Sequence, residues 1–377
     1  MQEEIGISPT SHNKNWSFGV IVETYSMRGM YRVCVCGHFA FGQNKLNGQT
    51  IKTKILTEEL ESKLGENEVL KYDTCGGVRN LFTLPKYMFL ATRKTENLII
   101  LPAYKGLRMS AFILSILRLF SRRCRIHYVV IGAWLPSFLR KNPLLKFFVK
   151  RAIDLIYVET TTMLHDLEQM GFANLALMPN CKDLMLSSAD FRHWTEGKPL
   201  KLCIFSRVMK GKGIAEAVSA VRSANKKLWP RSFSLDIYGP IERGEEAWFE
   251  DLQRDFPEYV RYGGMVPFDE STKVLQNYFA LLFPTLFYTE GVPGTIIDAY
   301  AAGLPVVASK WQSFADVVDD GITGWGYPFG DLEALVDLLE ELGEHPEKVD
   351  ALRPNCLRRA SDFKPARVLN VLLERLQ

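Results

Sequence analysis

No window of this 377-residue chain reaches the roughly 18 consecutive uncharged apolar residues that a membrane-spanning helix needs. The opening stretch, Met1–Asn15, is polar and of mixed charge and lacks the apolar core of a secretory signal. The expectation is therefore a cytoplasmic protein, with residues 1–30 as an N-terminal extension. The seven cysteines (Cys34, Cys36, Cys75, Cys124, Cys181, Cys203 and Cys356) are odd in number and form no C-x-x-C. Several sit in apolar runs, which reads as reduced, buried thiols in a reducing compartment rather than a disulfide framework or a metal site. No G-x-G-x-x-G follows the first strand of either half, which argues against an NAD-dependent dehydrogenase. Solenoid repeats and low-complexity tracts are missing as well.

What remains is a globular composition, 47% hydrophobic and 24% charged, with a net charge of only +3. The length is too great for one ordinary core and comfortable for two. Apolar strand patterns alternate with helical ones, which argues for parallel, doubly wound sheets. In the first half the pattern predicts strands at 31–36, 69–72, 97–102, 126–131, 154–158 and 175–178. Helices are expected at 51–64, 78–92, 109–120 and 161–170. A polar linker, 187–199, separates these from strands at 201–205, 234–238, 260–262, 280–284 and 305–308, and helices at 214–225, 248–256, 268–277, 295–302, 332–342 and 366–376. Two Rossmann-like domains follow, 31–190 and 191–360, with 361–377 as a C-terminal helix able to pack back on the first.

The chemistry concentrates in Glu290-Gly-Val-Pro-Gly-Thr-Ile-Ile-Asp298, a glycine-containing loop between a strand and a helix. Backbone N–H groups at Gly294 and Thr295 would point out of the helix N-terminus, a ready anion site suited to a diphosphate. Carboxylates beside an anion site make sense where hydroxyls must be gripped, and Glu290 and Asp298 can face the same cleft. Sugar and ribose hydroxyls meet that need. After another strand, Ser206-Arg207-Val-Met-Lys-Gly-Lys212-Gly213 offers two cations, Arg207 as a fork and Lys212 as a point charge.

These residues resemble glycosyltransferase family 4, the retaining enzymes of GT-B fold in bacterial polysaccharide biosynthesis. The family signature is E-x7-E followed by a small-residue helix and a G-x-P-V-V-A-S strand. This chain reads Glu290, seven residues, Asp298, then Ala299-Tyr-Ala-Ala-Gly303-Leu-Pro-Val-Val-Ala-Ser309. The resemblance implies two Rossmann-like domains facing a central cleft, with Glu290 on the donor sugar and Asp298, one methylene short of the usual glutamate, at the ribose. It further implies Gly291, Val292, Pro293, Gly294 and Thr295 around sugar and diphosphate, and Gly239 and Val266 bordering the base. Arg207 and Lys212 would neutralise the leaving diphosphate, although Ser206 stands where the family has glycine. Asp316 and Gly324 fall in a turn whose role reads as structural. In the first half, the loop Gly37–Thr50 is similar to the family's glycine-rich loop and puts Gly42, Asn47 and Lys52 near acceptor and donor phosphates. The strand ending at Ile131 is followed by Gly132-Ala-Trp134, where many members carry a histidine, and His127 inside that strand reads as packed or peripheral.

The expected activity is transfer of a sugar, with retention, from a nucleotide-sugar (UDP-sugar) to a lipid-linked glycan acceptor in capsule or exopolysaccharide synthesis. No cofactor or metal is expected, because the cations replace it and no D-x-D stands where a metal–nucleotide site would be. Other GT-B activities, a nucleotide-sugar epimerase or a sugar phosphorylase, and a non-catalytic binding module are the alternatives. Finally, from Asn97 to Ile153 there is no Asp or Glu, while eleven Lys and Arg residues are interleaved with apolar and aromatic ones. Such a surface suits an anionic membrane leaflet, here the inner face of the plasma membrane. No nucleic-acid-binding motif accompanies the charge, so nucleic acid is not an expected partner.

Overall fold

The computed structural model describes residues 30–42, 48–75, 78–120, 123–184, 186, 198–228, 232–267 and 270–376. Residues 1–29 of the expected 1–30 extension, Asn47 and most of the linker lie outside them. Among the described residues, twelve strands form two six-stranded sheets. The first contains β1 (Tyr31–Gly37), β2 (Val69–Asp73), β3 (Thr95–Ile100), β4 (Arg125–Val129), β5 (Leu155–Val158) and β6 (Leu175–Leu177), in the order β2-β1-β3-β4-β5-β6. The second contains β7 (Leu200–Phe205), β8 (Phe233–Tyr238), β9 (Val260–Gly264), β10 (Ala280–Phe283), β11 (Val306–Ser309) and β12 (Gly324–Tyr327), in the order β12-β11-β10-β7-β8-β9. All the pairings are parallel.

Parallel strands are covered on both faces, so they read as continuous apolar runs rather than alternating ones. Val33–Cys36 in β1 and all of β10 and β11 are buried accordingly. Each sheet has one apolar cluster on either side. Val368, Leu369, Leu372 and Leu376 from the chain's end fill one face of the first sheet together with Val33, Val35 and Tyr157. Asn97 fastens that end by donating to the Leu376 carbonyl at 3.1 Å.

Several local readings change. The expected 366–376 helix is two short ones, Pro365–Val368 and Asn370–Leu373. The 268–277 helix shrinks to Ser271–Leu275. Helices at Leu135–Arg140, Pro143–Ala152 and Pro346–Ala360 and strand β12 were not expected. Pro354 inside the Pro346–Ala360 helix and glycines within β12 obscure the local pattern.

Candidate functional site

In doubly wound sheets ligands bind beyond the carboxyl ends of the strands, at the point where the strand order reverses. In the second sheet that point lies between the adjacent strands β7 and β10. The loop after β7 carries Arg207 and Lys212, and the loop after β10 carries Glu290. Topology therefore brings the Arg207–Lys212 loop to the same sheet edge as Glu290, which lies 78 positions beyond Lys212.

Close backbone packing makes the meeting tight. Gly213 has φ +71°, and a Cβ there would fall 1.8 Å from the Pro284 carbonyl oxygen, so only glycine fits. Leu286 donates its N–H to the Gly211 carbonyl at 2.9 Å and ties the two loops together. Lys212 consequently donates to Glu290 Oε1 in an ion pair whose members are 14% and 18% exposed. The Lys212 ammonium also lies 5.6 Å and 5.3 Å from the ring centroids of Phe283 and Phe287. Arg207 stands further out and reaches Glu242 Oε2 at 2.5 Å with more than half its side chain exposed. Arg207 and Lys212 thus rest on different carboxylates.

The Gly294–Ala301 helix starts beside this pair. Every residue from Ile296 to Ala301 is buried, and at the helix start a Cβ on Gly294 would lie 3.7 Å from Lys182 Cδ and 3.8 Å from Asn180 Nδ2 of the first domain. The Thr295 hydroxyl is buried and finds no hydrogen-bond partner among the described residues. A buried hydroxyl is costly unless paired, so this one is left open to a hydrogen bond from a bound group or a water. Asp298, one turn on, is buried beneath the helix start and accepts from Lys182 at 2.5 Å on each oxygen. Burial pushes its carboxyl pKa up, and the ammonium pulls against that rise.

The first domain supplies the opposite wall. Gly132, at φ +78°, faces Gly291: a Cβ on Gly291 would fall 3.0 Å from the Gly132 Cα. Lys52 was expected near phosphates. Instead it is 2% exposed, bonded to Glu159 Oε1 at 2.5 Å and to the Val130 carbonyl at 3.3 Å. Its helix, Gly48–Leu64, buries that side together with Thr53, Leu56 and Leu60, so the ammonium meets a buried carboxylate rather than open solvent. No sequence motif singles out Glu159, which directly follows the apolar run of β5. Its Oε2 accepts from the Val292 N–H across the domain seam at 3.3 Å, and Asn180 donates to the Val292 carbonyl at 3.2 Å. Asp316 also crosses the seam and accepts from the N–H groups and hydroxyls of Thr161 and Thr162 at the start of the Thr161–Gln169 helix.

His127 is fully buried, with both ring nitrogens hydrogen-bonded. Asn97 Nδ2 donates to the carbonyls of Arg32 and Leu376, which leaves its Oδ1 to accept from His127 Nε2 at 3.1 Å. Nδ1 then accepts from the Tyr157 hydroxyl at 2.9 Å. Burial and nearby arginines lower its pKa to about 4.

Residues 199–345 match the family model for "Glycosyl transferases group 1". Among curated proteins, the chain is 27% identical over 151 residues to the amylovoran biosynthesis glycosyltransferase AmsK of Erwinia amylovora, covering 39% of this chain and 37% of that one. It is 30% identical over 102 residues to the phosphatidyl-myo-inositol mannosyltransferase of Mycobacterium leprae, covering 27% of each. The matched parts span less than half the length of either relative. Among solved structures, Anabaena Alr3699/HepE in complex with UDP and glucose superposes with a TM-score of 0.70 at 14% identity, over 91% of this chain and 98% of that one. The fold is GT-B.

Within the second domain, Gly239 and Val266 follow β8 and β9 at the same edge as Lys212 and Glu290. Gly239 donates to the Gly264 carbonyl at 2.9 Å and packs on Ser206, while Val266 is half-buried. In the first domain Gly42 is exposed at φ +71° with open space around it, and Asn47 lies outside the described residues.

Proposed function

We propose that this protein transfers a sugar, with retention at the anomeric carbon, from a UDP-sugar to a lipid-linked glycan acceptor in capsule or exopolysaccharide synthesis. The observation that carries this reading is the Lys212–Glu290 pair beside a helix N-terminus that holds an unpartnered buried hydroxyl. A diphosphate seated there would receive the N–H groups of Gly294 and Thr295 and the Thr295 hydroxyl. It would also draw the Lys212 ammonium away from Glu290 and free that carboxylate to accept from sugar hydroxyls. A ribose at Asp298, one turn below, would share a carboxylate whose two oxygens already accept from Lys182, and Gly239 and Val266 border the base.

The reaction breaks the bond from the anomeric carbon to the diphosphate oxygen and forms one to the acceptor oxygen on the same face. The acceptor proton passes to the departing diphosphate. Lys212, Arg207 and the helix start stabilise the charge that develops on that leaving group, the largest contribution such a site can make. Because two cations and a helix N-terminus do this, the proposed reaction needs no metal or cofactor. Gly132 and Gly42 border the acceptor side. AmsK acts in biosynthesis of the polysaccharide amylovoran, and the mycobacterial relative is named for mannosyl transfer to phosphatidyl-myo-inositol, which supports a polysaccharide setting and a lipid-borne acceptor.

A lipid-borne acceptor fits the acid-free segment. Among the described residues no helix is long and apolar enough to cross a membrane. The packed helices Tyr104–Phe120 and Pro143–Ala152 nevertheless expose Phe112, Leu119, Phe120, Leu144 and Phe147 among Lys105, Arg108, Lys141, Lys150 and Arg151. We read this face as a peripheral contact with an anionic inner leaflet, without nucleic acid as a partner.

A thermal-shift panel of UDP-, GDP- and ADP-sugars tests the donor assignment. Saturation at a hundredfold over Kd adds about 2.7 kcal/mol to the folded state, so a clear rise with a UDP-sugar is expected. No shift with any of the three would overturn the assignment.

A further inference from the structure

We propose that Glu159, in the first domain, is a positioning residue that holds the Glu290–Gly294 loop in its working shape from across the domain seam. The inference rests on the transferase reading for its catalytic consequence and on geometry alone for the clamp.

Glu159 directly follows β5 and pairs with Lys52; the side chains are 3% and 2% exposed. Burying two opposite charges costs more in lost hydration than their attraction commonly returns, so such a pair is poor evidence for a purely stabilising role. Its contacts point elsewhere. One oxygen, Oε1, takes the Lys52 ammonium, which is also fastened to the Val130 carbonyl at the end of β4. The other, Oε2, is thereby aimed over the seam, where it accepts from Val292 N–H at 3.3 Å. It also lies against Gly291 so closely that a Cβ there would fall 2.4 Å from it. With Asn180 donating to the Val292 carbonyl, both backbone polar groups of Val292 are held by side chains outside the transferase domain. Val292 is two residues from Glu290 and two from Gly294. Fixing it fixes the spacing between the carboxylate and the helix N-terminus, the two ends of the proposed donor site. Lys52 orients the clamp and Glu159 applies it, so the loop takes this shape only when the domains are seated together.

Two double variants separate positioning from mere support. Lys52→Met/Glu159→Gln removes both charges but keeps an oxygen that can accept from Val292. Lys52→Met/Glu159→Leu removes the charges and that oxygen. Both replace a buried pair with neutral side chains, so both should fold. For a clamp, amide hydrogen exchange in a peptide covering 288–297 rises about tenfold or more in the leucine variant and stays near wild type in the glutamine variant. Turnover with the donor falls about tenfold or more in the leucine variant, because small displacements of reacting groups carry large rate penalties. Donor KM changes little, and the glutamine variant recovers most of the turnover. Equal loop exchange and equal turnover in the two variants would overturn the proposal. If the wild type turns over no nucleotide-sugar, the transferase reading fails, and the exchange comparison still decides the clamp.

Discussion

In the seam between the domains, the Lys182 ammonium lies 2.5 Å from both carboxylate oxygens of Asp298, a residue 116 positions later. Family resemblance places a glutamate at that position. The aspartate, one methylene shorter, is tucked under the helix start, and a lysine from the strand-to-linker segment fills the space and supplies its countercharge.

Removing one partner should therefore cost far more than removing both. Lys182→Met leaves a buried carboxylate uncompensated and should destabilise the protein by about 3–5 kcal/mol, whereas Lys182→Met/Asp298→Leu should recover most of that loss. Calorimetric unfolding of the two variants checks this. Equal destabilisation by the single and double changes would mean that the pair does not act as a unit.

Glu290→Gln keeps the shape of the loop and removes the charge. Turnover should fall about a hundredfold or more if Glu290 gains its contacts in the transition state. The Lys212→Met variant should lose a comparable factor, and the double variant should not lose the product of the two, because the residues form one site. Steady-state kinetics of the three variants measure the coupling, and simple multiplication of the two losses would refute it.

His127 makes stability depend on pH. Its folded pKa, about 4, lies below the unfolded value near 6.5. Between those values the unfolded chain binds the proton and the folded one does not, so stability rises with pH across the interval and is lost on acidification. The contribution is on the order of 3 kcal/mol, fully present above pH 6.5 and gone below pH 4. Melting curves from pH 7 to pH 4.5 should show a steep decline that is shallower in His127→Phe. An unchanged slope would assign the decline to other groups.

Leu119 and Phe120 are among the most exposed apolar side chains, at 63% and 76%. Replacing both with Ser should abolish flotation with phosphatidylserine-containing vesicles while leaving the melting temperature unchanged. Flotation of the wild type should weaken with added salt. Retention of salt-sensitive binding in the variant would locate the contact elsewhere.

Fold class and half of the candidate site were legible because they depend on local pattern. Alternating apolar strands and helices specify doubly wound sheets, and glycine-bearing loops next to a helix start mark an anion site. Arg207, Lys212 and Glu290 stand out in the sequence because each sits in a short motif. Lys52 was misplaced because helical spacing tells which residues share a face but not whether that face meets solvent or a carboxylate from another strand. Glu159 was passed over because nothing in its neighbourhood relates position 159 to position 292.

By itself, then, the sequence determined the two-domain α/β plan, the Glu290–Asp298 loop and helix, and the cations that follow β7. Only the tertiary structure decided the partnerships: Lys212 with Glu290, Lys182 with Asp298, Lys52 with Glu159, and Glu159 with the backbone of Val292. Local pattern reflects interactions among near neighbours in the chain. These partners meet because crossover connections bring distant strands side by side and because two separately wound sheets meet along one seam.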